Sequence, residues 1–240
     1  MPIEIKEYIR LDTFEKIQIY VNKIFEWNER MNLVQEDTLK DIFNRHVIDS
    51  LQIIPIIQKT LKDKQGKFCD SDPMSLNTSS HPLESDAYLN YKFDDHIEDI
   101  RKLKVIDVGT GAGFPGMILA MCGLEEITLC DTNERKCIFL EEISRITNTK
   151  VQVVHRDIAT VQEKYDYTLS RAYTSFKSLL KIAYQVSRTK ESYGIFLKGK
   201  TWKSEIIEAI NEWNFDIQTF QSITSTDGVI IACNNISKKM

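Results

Sequence analysis

The sequence lacks the features of a membrane, secreted or metal-binding protein. No window of its 240 residues approaches the run of about 18 apolar residues that a membrane-spanning helix needs. The first ten residues, MPIEIKEYIR, are charged and do not resemble a secretory signal. Five scattered cysteines, with no C-x-x-C pair, argue against a disulfide framework or a zinc site: Cys69, Cys122, Cys130, Cys137 and Cys233. We therefore expect a cytoplasmic protein with no membrane partner and no metal.

An excess of positive charge is also missing, because the chain carries a net charge of −4. Affinity for nucleic acid phosphates normally comes from Lys and Arg, so this balance argues weakly against nucleic acid binding. The charge is unevenly distributed, however. Residues 61–100 hold four lysines against nine acidic residues, and the rest of the chain sums to +1. Nucleic acid binding is not excluded, although we expect no DNA partner.

The first 60 residues have a helical pattern. Apolar residues at helical spacing predict an amphipathic helix over residues 13–33. A second helix is predicted over residues 37–54, with Asp37 or Thr38 as its cap and Pro55 near its end. We expect residues 1–60 to form a helical extension. Residues 61–100 are predicted to be an acidic insertion and a connecting helix, in which residues 62–90 form an exposed, mobile segment.

From residue 103 onward, apolar strands alternate with amphipathic helices. Repeated strand–helix units predict an α/β fold with a mostly parallel sheet. The last two strands, FDIQTFQSI and GVIIACN, have no helix between them, so the final strand is predicted to be antiparallel. This is the arrangement of the Rossmann-like fold of S-adenosylmethionine (SAM) dependent methyltransferases. We expect that domain to span residues 101–240.

The segment VIDVGTGAGFPGMILA, residues 105–120, holds four of the nine glycines within eight residues. A tight turn after a strand needs residues that tolerate positive φ, and a ligand lying on the turn needs side chains to be absent. A G-x-G-x-x-G motif at 111, 113 and 116 suggests a dinucleotide, but it is a weak signal. Asp107 and Gly109 extend it to D-x-G-x-G-x-G, which favours SAM.

Acidic residues end the next two strands. Asp131 lies 20 residues beyond Gly111, a spacing that suits hydrogen bonds to a ribose diol. Asp157 follows the third strand and is a candidate contact for an adenine amino group. Either residue could instead be a plain helix cap.

Two signatures of base methylation are missing. After the fourth strand, SRAY at 170–173 stands where enzymes that methylate exocyclic amines carry [DN]-P-P-[YF]. No Pro-Cys dipeptide supplies the nucleophile that pyrimidine C5 methylation needs. Guanine N7 has an available lone pair and needs no deprotonation, so a site with Arg171 and no obvious base is chemically adequate for it.

Several segments together resemble the ribosomal RNA small subunit methyltransferase G family, also called glucose-inhibited division protein B. They are WNERMNLV (27–34), RHVIDSL (45–51), the glycine segment, LCDTNERKCIFL (129–140), YDYTLSRAYTS (165–175) and FLKGK (196–200). The resemblance implies a cytoplasmic enzyme that uses SAM to methylate N7 of one guanine in the decoding-region loop of 16S rRNA. Its partner would be 16S rRNA, the small ribosomal subunit or an assembly intermediate of that subunit.

The resemblance also implies roles for individual residues. It carries cofactor contacts onto Gly109, Phe114, Asp157, Ile158 and Arg171, the last also being the catalytic candidate; the general methyltransferase pattern adds Gly111, Gly113 and Asp131. His46 and Asp49 match an H-x-x-D-S element and would either contact substrate or pack the helix on the sheet. Lys198 would either contact RNA phosphate or be solvated.

Two departures from the family pattern affect how RNA would be held. The insertion at 62–90 is longer and more acidic than expected, and the terminal hairpin lacks a basic residue ahead of its last strand. Two alternatives therefore stay open. The acceptor could be a small metabolite, or the chain could be a SAM-binding, ribosome-associated protein without turnover.

Overall fold

The protein is described by a computed structural model that covers residues 9–63, 78–79, 97–98 and 100–240. Its N-terminal part is helical: α1 (Leu11–Asn28), α2 (Glu36–Leu39), a π-helix (Phe43–Ile48), α3 (Asp49–Leu51) and α4 (Ile53–Asp63). The prediction of a helical N-terminal extension is confirmed, although the division of the chain at residues 60 and 100 stays a prediction.

Helix α1 ends five residues earlier than its apolar pattern predicts. Its buried face carries Phe14, Ile17 and Ile24, as the spacing predicts. After the helix, the Asn28 side chain accepts hydrogen bonds from the N–H groups of Leu33 (2.8 Å) and Val34 (3.0 Å). Residues 29–34 therefore form a turn that Asn28 holds.

The second predicted helix is broken into several pieces, and the predicted position of Pro55 at its end is wrong. Pro55 lies in the first turn of α4. The first four N–H groups of a helix have no partner within the helix, so a residue without an N–H is tolerated there. The proline therefore opens a further helix of the extension.

A single sheet forms the centre of the molecule. Its strands are β1 (Thr78–Ser79), β2 (Val105–Val108), β3 (Ile127–Asp131), β4 (Gln152–His155), β5 (Tyr167–Arg171), β6 (Tyr193–Lys198), β7 (Trp213–Gln221) and β8 (Val229–Lys238), in the order β1-β7-β8-β6-β5-β2-β3-β4. Strand β8 is antiparallel to both β6 and β7, and all other pairs are parallel. The predicted Rossmann-like methyltransferase fold with an antiparallel last strand is confirmed.

Strand β1 was not predicted. Thr78 and Ser79 pair in parallel with Thr219 and Phe220 at the edge of the sheet. Its two residues fall inside the insertion predicted over residues 62–90. Apart from 62–63 and 78–79, that predicted insertion lies outside the described residues, and so does Cys69.

Two layers of helices cover the sheet. The helices within the methyltransferase domain are α5 (Gly116–Met121), α6 (Glu134–Ile146), α7 (Phe176–Val186) and α8 (Trp202–Ala209), with a 3-10 turn at Ile158–Thr160. One apolar cluster joins α1, the π-helix, α3 and α4 to α5, α6 and the sheet, and another joins α7 and α8 to β6, β7 and β8. The extension therefore shares a core with the sheet. In the described ranges, no helix is both long and apolar enough to cross a bilayer.

We expect Gly116→Ala to destabilise the protein, because α5 packs directly on the sheet at this residue. A Cβ at Gly116 would lie 2.3 Å from Cδ2 of Leu129 and 2.9 Å from Oδ2 of Asp107, and both side chains are fully buried. Overpacking of this kind costs about 1–3 kcal/mol, measurable as the free energy of unfolding in urea. Gly199→Ala is the control, since no atom lies within 4 Å of its added Cβ. Equal stabilities for the two variants would contradict the close packing.

Candidate active site

The glycine loop after β2 adopts the conformation that its sequence predicts. Gly109, Gly111 and Gly113 have φ values of +64°, +60° and +107°, a region that side chains disfavour. The loop is also held from outside, because the Tyr20 hydroxyl donates a hydrogen bond to the Ala112 carbonyl at 2.5 Å. The backbone conformation of the loop is therefore fixed at the carboxyl edge of the sheet, where ligands of open α/β sheets bind.

Asp107 lies beneath this loop and is fully buried. Its Oδ2 accepts hydrogen bonds from the Thr110 hydroxyl (2.6 Å) and the Gly116 N–H (2.9 Å). Its Oδ1 is buried and has no hydrogen-bond partner among the described residues. Burial raises the pKa of this carboxyl to about 6. This oxygen marks a polar position enclosed directly beneath the loop backbone.

Asp131 links the glycine loop to the start of α6. Its Oδ2 accepts the Gly111 N–H at 2.8 Å, and its Oδ1 accepts the Asn133 N–H at 2.9 Å. Asn133 rather than Asp131 caps α6, since its side chain accepts the N–H of Lys136 at 3.2 Å. A ribose contact by Asp131 stays a prediction.

Asp157 is exposed and caps the 3-10 turn, accepting the Ala159 N–H at 2.9 Å. In the structure Asp157 therefore acts as a helix cap, the alternative to an adenine contact. Ile158, the next residue, is buried. Roles of both residues at an adenine ring stay predictions.

Arg171 ends β5 and connects the sheet to the helical extension. Its guanidinium donates to the Arg45 carbonyl at 2.9 Å and to Nδ1 of His46 at 2.5 Å, and it lies 3.6 Å from Oδ2 of Asp49. Its central carbon lies 5.2 Å from the ring centroid of Phe114, within range of a cation–π interaction. Burial lowers the pKa of Arg171, and the Asp49 carboxylate opposes this shift.

His46 is a buried neutral imidazole with both nitrogens engaged. Nε2 lies 2.8 Å from the Thr38 hydroxyl, and Nδ1 accepts from Arg171. Burial, with the charges of Arg171 and Arg45, lowers the pKa of His46 to about 3. Because Nδ1 is the acceptor, Nε2 carries the hydrogen and donates a hydrogen bond to the hydroxyl oxygen of Thr38. Neither nitrogen is free to act as a base.

Asp49 joins the helical extension to the end of the chain. Its Oδ1 accepts hydrogen bonds from the Thr224 hydroxyl at 2.8 Å and from Nε2 of Gln52 at 2.7 Å. Burial raises the pKa of Asp49, and the Arg171 charge opposes the shift. The loop between β7 and β8 is therefore part of the site.

Lys198 ends β6, and its ammonium is neutralised inside the protein. It lies 2.6 Å from Oε2 of Glu205 and donates to the Thr174 carbonyl at 3.0 Å, with 10% of the side chain exposed. The expectation of a solvated lysine is wrong. These internal partners also leave the ammonium poorly placed for the alternative contact with RNA phosphate.

Most of the predicted site residues meet at one cavity of about 580 Å³. Gly109, Gly111, Phe114 and Arg171 line it together with His46, Asp49 and Lys198. A second cavity of about 470 Å³ is lined by Ile158 and Tyr173, whereas Gly113, Asp131 and Asp157 line neither.

Tyr173 lies between the two cavities. A Cβ built on Gly109 would be 2.2 Å from its Cδ2, so the ring lies directly against the glycine loop. The ring therefore lines the second cavity and touches the loop that lines the first. No sequence pattern assigns a role to Tyr173, although this residue follows SRA directly.

The residues present fit SAM as a cofactor. The loop offers backbone without side chains, an orphaned carboxylate oxygen of Asp107 lies beneath that backbone, and the larger cavity is within the range of about 300–1,000 Å³ typical of ligand sites. In the described ranges, no cluster of three or more His, Cys, Asp or Glu side chains could hold a metal ion.

The family model for rRNA small subunit methyltransferase G (GidB) matches residues 13–70 and 90–232 of the sequence. This chain belongs to that family. The predicted class of activity, SAM-dependent methylation of rRNA, is confirmed by this membership, and SAM is the cofactor.

Individual proteins of that name are distant but full-length relatives. The Ribosomal RNA small subunit methyltransferase G of Rickettsia prowazekii (strain Madrid E) is 28% identical over 230 residues, covering 96% of this chain and 98% of that protein. The protein of the same name from Rickettsia typhi is 27% identical and covers 95% and 96%. Among solved structures, a ribosomal protein L11 methylase from Lactobacillus delbrueckii subsp. bulgaricus has a TM-score of 0.48 and 18% identity, covering 61% of this chain and 75% of that one.

We expect Arg171→Ala to weaken SAM binding tenfold or more, or about 1.4 kcal/mol, as measured by calorimetry. The substitution removes a side chain that lines the cavity and that holds His46. It also leaves the buried Asp49 carboxylate without its cation, so the free energy of unfolding should fall as well. Unchanged SAM affinity in the folded variant would contradict the assigned role.

We expect Asp107→Asn to stabilise the SAM-free protein at neutral pH. The pKa of Asp107 is about 6 when folded and 3.8 ordinarily, so the folded state binds the extra proton between these values. The contribution of this carboxyl to stability therefore falls as pH rises from about 4 to 6, by roughly 3 kcal/mol at most. Urea unfolding curves of the two proteins should separate at pH 7.5 and converge near pH 4. A constant difference across that range would show that the carboxyl does not titrate as described.

Proposed function

We propose that this methyltransferase transfers the methyl group of SAM to N7 of a guanine in 16S rRNA, within the small ribosomal subunit or an assembly intermediate. Support comes from the family to which the chain belongs and from the chemistry of the larger cavity. Because the proposed substrate is ribosomal RNA, we place the protein in the cytoplasm.

The absence of a free base in the described lining of that cavity carries the proposal. Its only side chains that could accept a proton at neutral pH are His46, Asp49 and Glu205. His46 uses both nitrogens, Asp49 faces Arg171, and Glu205 pairs with Lys198. Methylation of an amine or a hydroxyl releases a proton that such a site is poorly equipped to accept. Guanine N7 carries a lone pair and no proton, so it needs no base.

The reaction balances without proton transfer. SAM, when bound, supplies a methyl group on a positively charged sulfur. The N7 lone pair forms a bond to the methyl carbon as the carbon–sulfur bond breaks, and the positive charge passes to the guanine ring. The protein then has to position the acceptor and exclude water, and such positioning supplies much of the rate enhancement in displacement reactions.

The accessibility of N7 restricts the form of the substrate. In an A-form helix this atom lies in a deep, narrow groove that side chains cannot enter. The target guanine therefore has to lie in a loop or be extruded from its stack. We expect an RNA duplex to be a poor substrate.

Base analogues give a sharp test with methyl-labelled SAM. The substrates are 16S rRNA, small-subunit particles and an RNA that contains the target guanine, once methyl mapping has identified it. In two variants of this last RNA, the target guanine is replaced by 7-deazaguanine or by inosine. We expect 7-deazaguanine, which lacks N7, to abolish labelling. Inosine keeps N7 and lacks the exocyclic amine, so labelling should persist.

Four results would reject the proposal. Labelling of the 7-deazaguanine RNA, or loss of labelling with inosine alone, would place the methyl group elsewhere on the base. Labelling of small molecules in an RNA-free extract, with none on rRNA, would favour a metabolite acceptor. Tight SAM binding without transfer to any RNA would favour a binding protein without turnover.

A further inference from the structure

The four cations that line the larger cavity fall into two classes. Arg171 and Lys198 are largely buried, and each has a carboxylate partner. Arg45 is exposed and Lys136 is half-buried. Neither of these two side chains makes an ion pair or a hydrogen bond with residues 9–63 or 100–240. The cavity therefore has two cations available to a ligand.

Both available cations lie at the mouth of the site. Nζ of Lys136 is 3.9 Å from the position that a Cβ on Gly111 would take, so this ammonium lies beside the glycine loop. Arg45 belongs to the π-helix, and its backbone is fixed because its carbonyl accepts a hydrogen bond from Arg171. Its side chain lines the cavity together with His46. The two cations therefore come from separate elements, the π-helix and α6, around one opening.

We propose that Arg45 and Lys136 bind phosphates of the rRNA strand next to the target guanine. This inference rests on the proposed rRNA substrate and assigns part of the RNA-binding surface. An RNA strand brings one negative charge per nucleotide, and an exposed or half-buried cation without a carboxylate partner can meet such a charge at a small desolvation cost. The surface is compatible with the net charge of −4, because the acidic excess is concentrated in residues 61–100.

Arg45 and Lys136, and not Lys198, are then the residues that contact RNA phosphate. The Lys198 ammonium would have to leave Glu205 before it could bind a phosphate. Arg45 and Lys136 lose no carboxylate partner within the described ranges when they bind one. SAM also carries a carboxylate, so the test has to separate RNA binding from cofactor binding.

The test measures RNA and SAM affinity for Arg45→Gln, Lys136→Gln and the double variant. A fluorescently labelled hairpin with the 16S rRNA target loop is titrated at several salt concentrations. Each single substitution should weaken RNA binding severalfold and reduce the slope of log K against log salt by about one. SAM affinity measured by calorimetry should stay within twofold. Arg45→Lys and Lys136→Arg, which keep the charge, should retain most of the RNA affinity.

The matched control is Arg145→Gln. Arg145 is exposed and lies in the last turn of α6, at the opposite end of the helix from Lys136. We expect its RNA affinity and its salt slope to equal those of the wild type.

Unchanged RNA affinity in the double variant would overturn the proposal. A loss of SAM affinity by Lys136→Gln equal to its loss of RNA affinity would overturn it as well, because the lysine would then bind the cofactor. Failure of the wild type to methylate guanine N7 would reject the proposed function by itself. RNA binding that still depends on the two cations would keep the surface assignment in that case.

Discussion

The site depends on the contacts that the largely buried guanidinium of Arg171 makes with the helical extension. A charge taken out of water needs partners, and Arg171 finds them on the helical extension: the Arg45 carbonyl, His46 and Asp49. Asp49 in turn accepts a hydrogen bond from Thr224, in the loop between β7 and β8. Three segments that are distant in the chain are therefore fixed around the carboxyl edge of the sheet. The helical extension is a wall of the cavity and not an appendage.

The charged side chains that are largely buried in this cavity are paired with each other. The buried charges neutralise each other in pairs, Arg171 with Asp49 and Lys198 with Glu205. The histidine is kept neutral by burial and by the cations around it. The result is a polar cavity in which few groups can accept or donate a proton. Such a site suits an acceptor atom that is already nucleophilic, and its selectivity has to come from shape and contacts.

Local sequence patterns predicted the fold well. The alternation of strands and helices, and the glycines that tolerate positive φ, depend on short-range periodicity and on backbone sterics. The pattern did not show that Asn28 ends α1, that Pro55 opens α4, or that Thr78–Ser79 adds an edge strand. The site was harder to predict, because its contacts are tertiary. Arg171 meets His46 across 125 residues, and no spacing rule reports that contact or the pairing of Lys198 with Glu205.

The position of β8 has a consequence for synthesis of the chain. This strand follows every other strand of the sheet in the chain, yet it lies inside the sheet between β6 and β7. Until it leaves the ribosome, β6 has an open edge and Asp49 lacks the hydroxyl of Thr224, which lies in the loop before this strand. A nascent chain can therefore collapse its helical extension onto the early strands, but it cannot complete the wall that holds Asp49 and Arg171. The enzyme gains a finished site only after β8 itself has been synthesised.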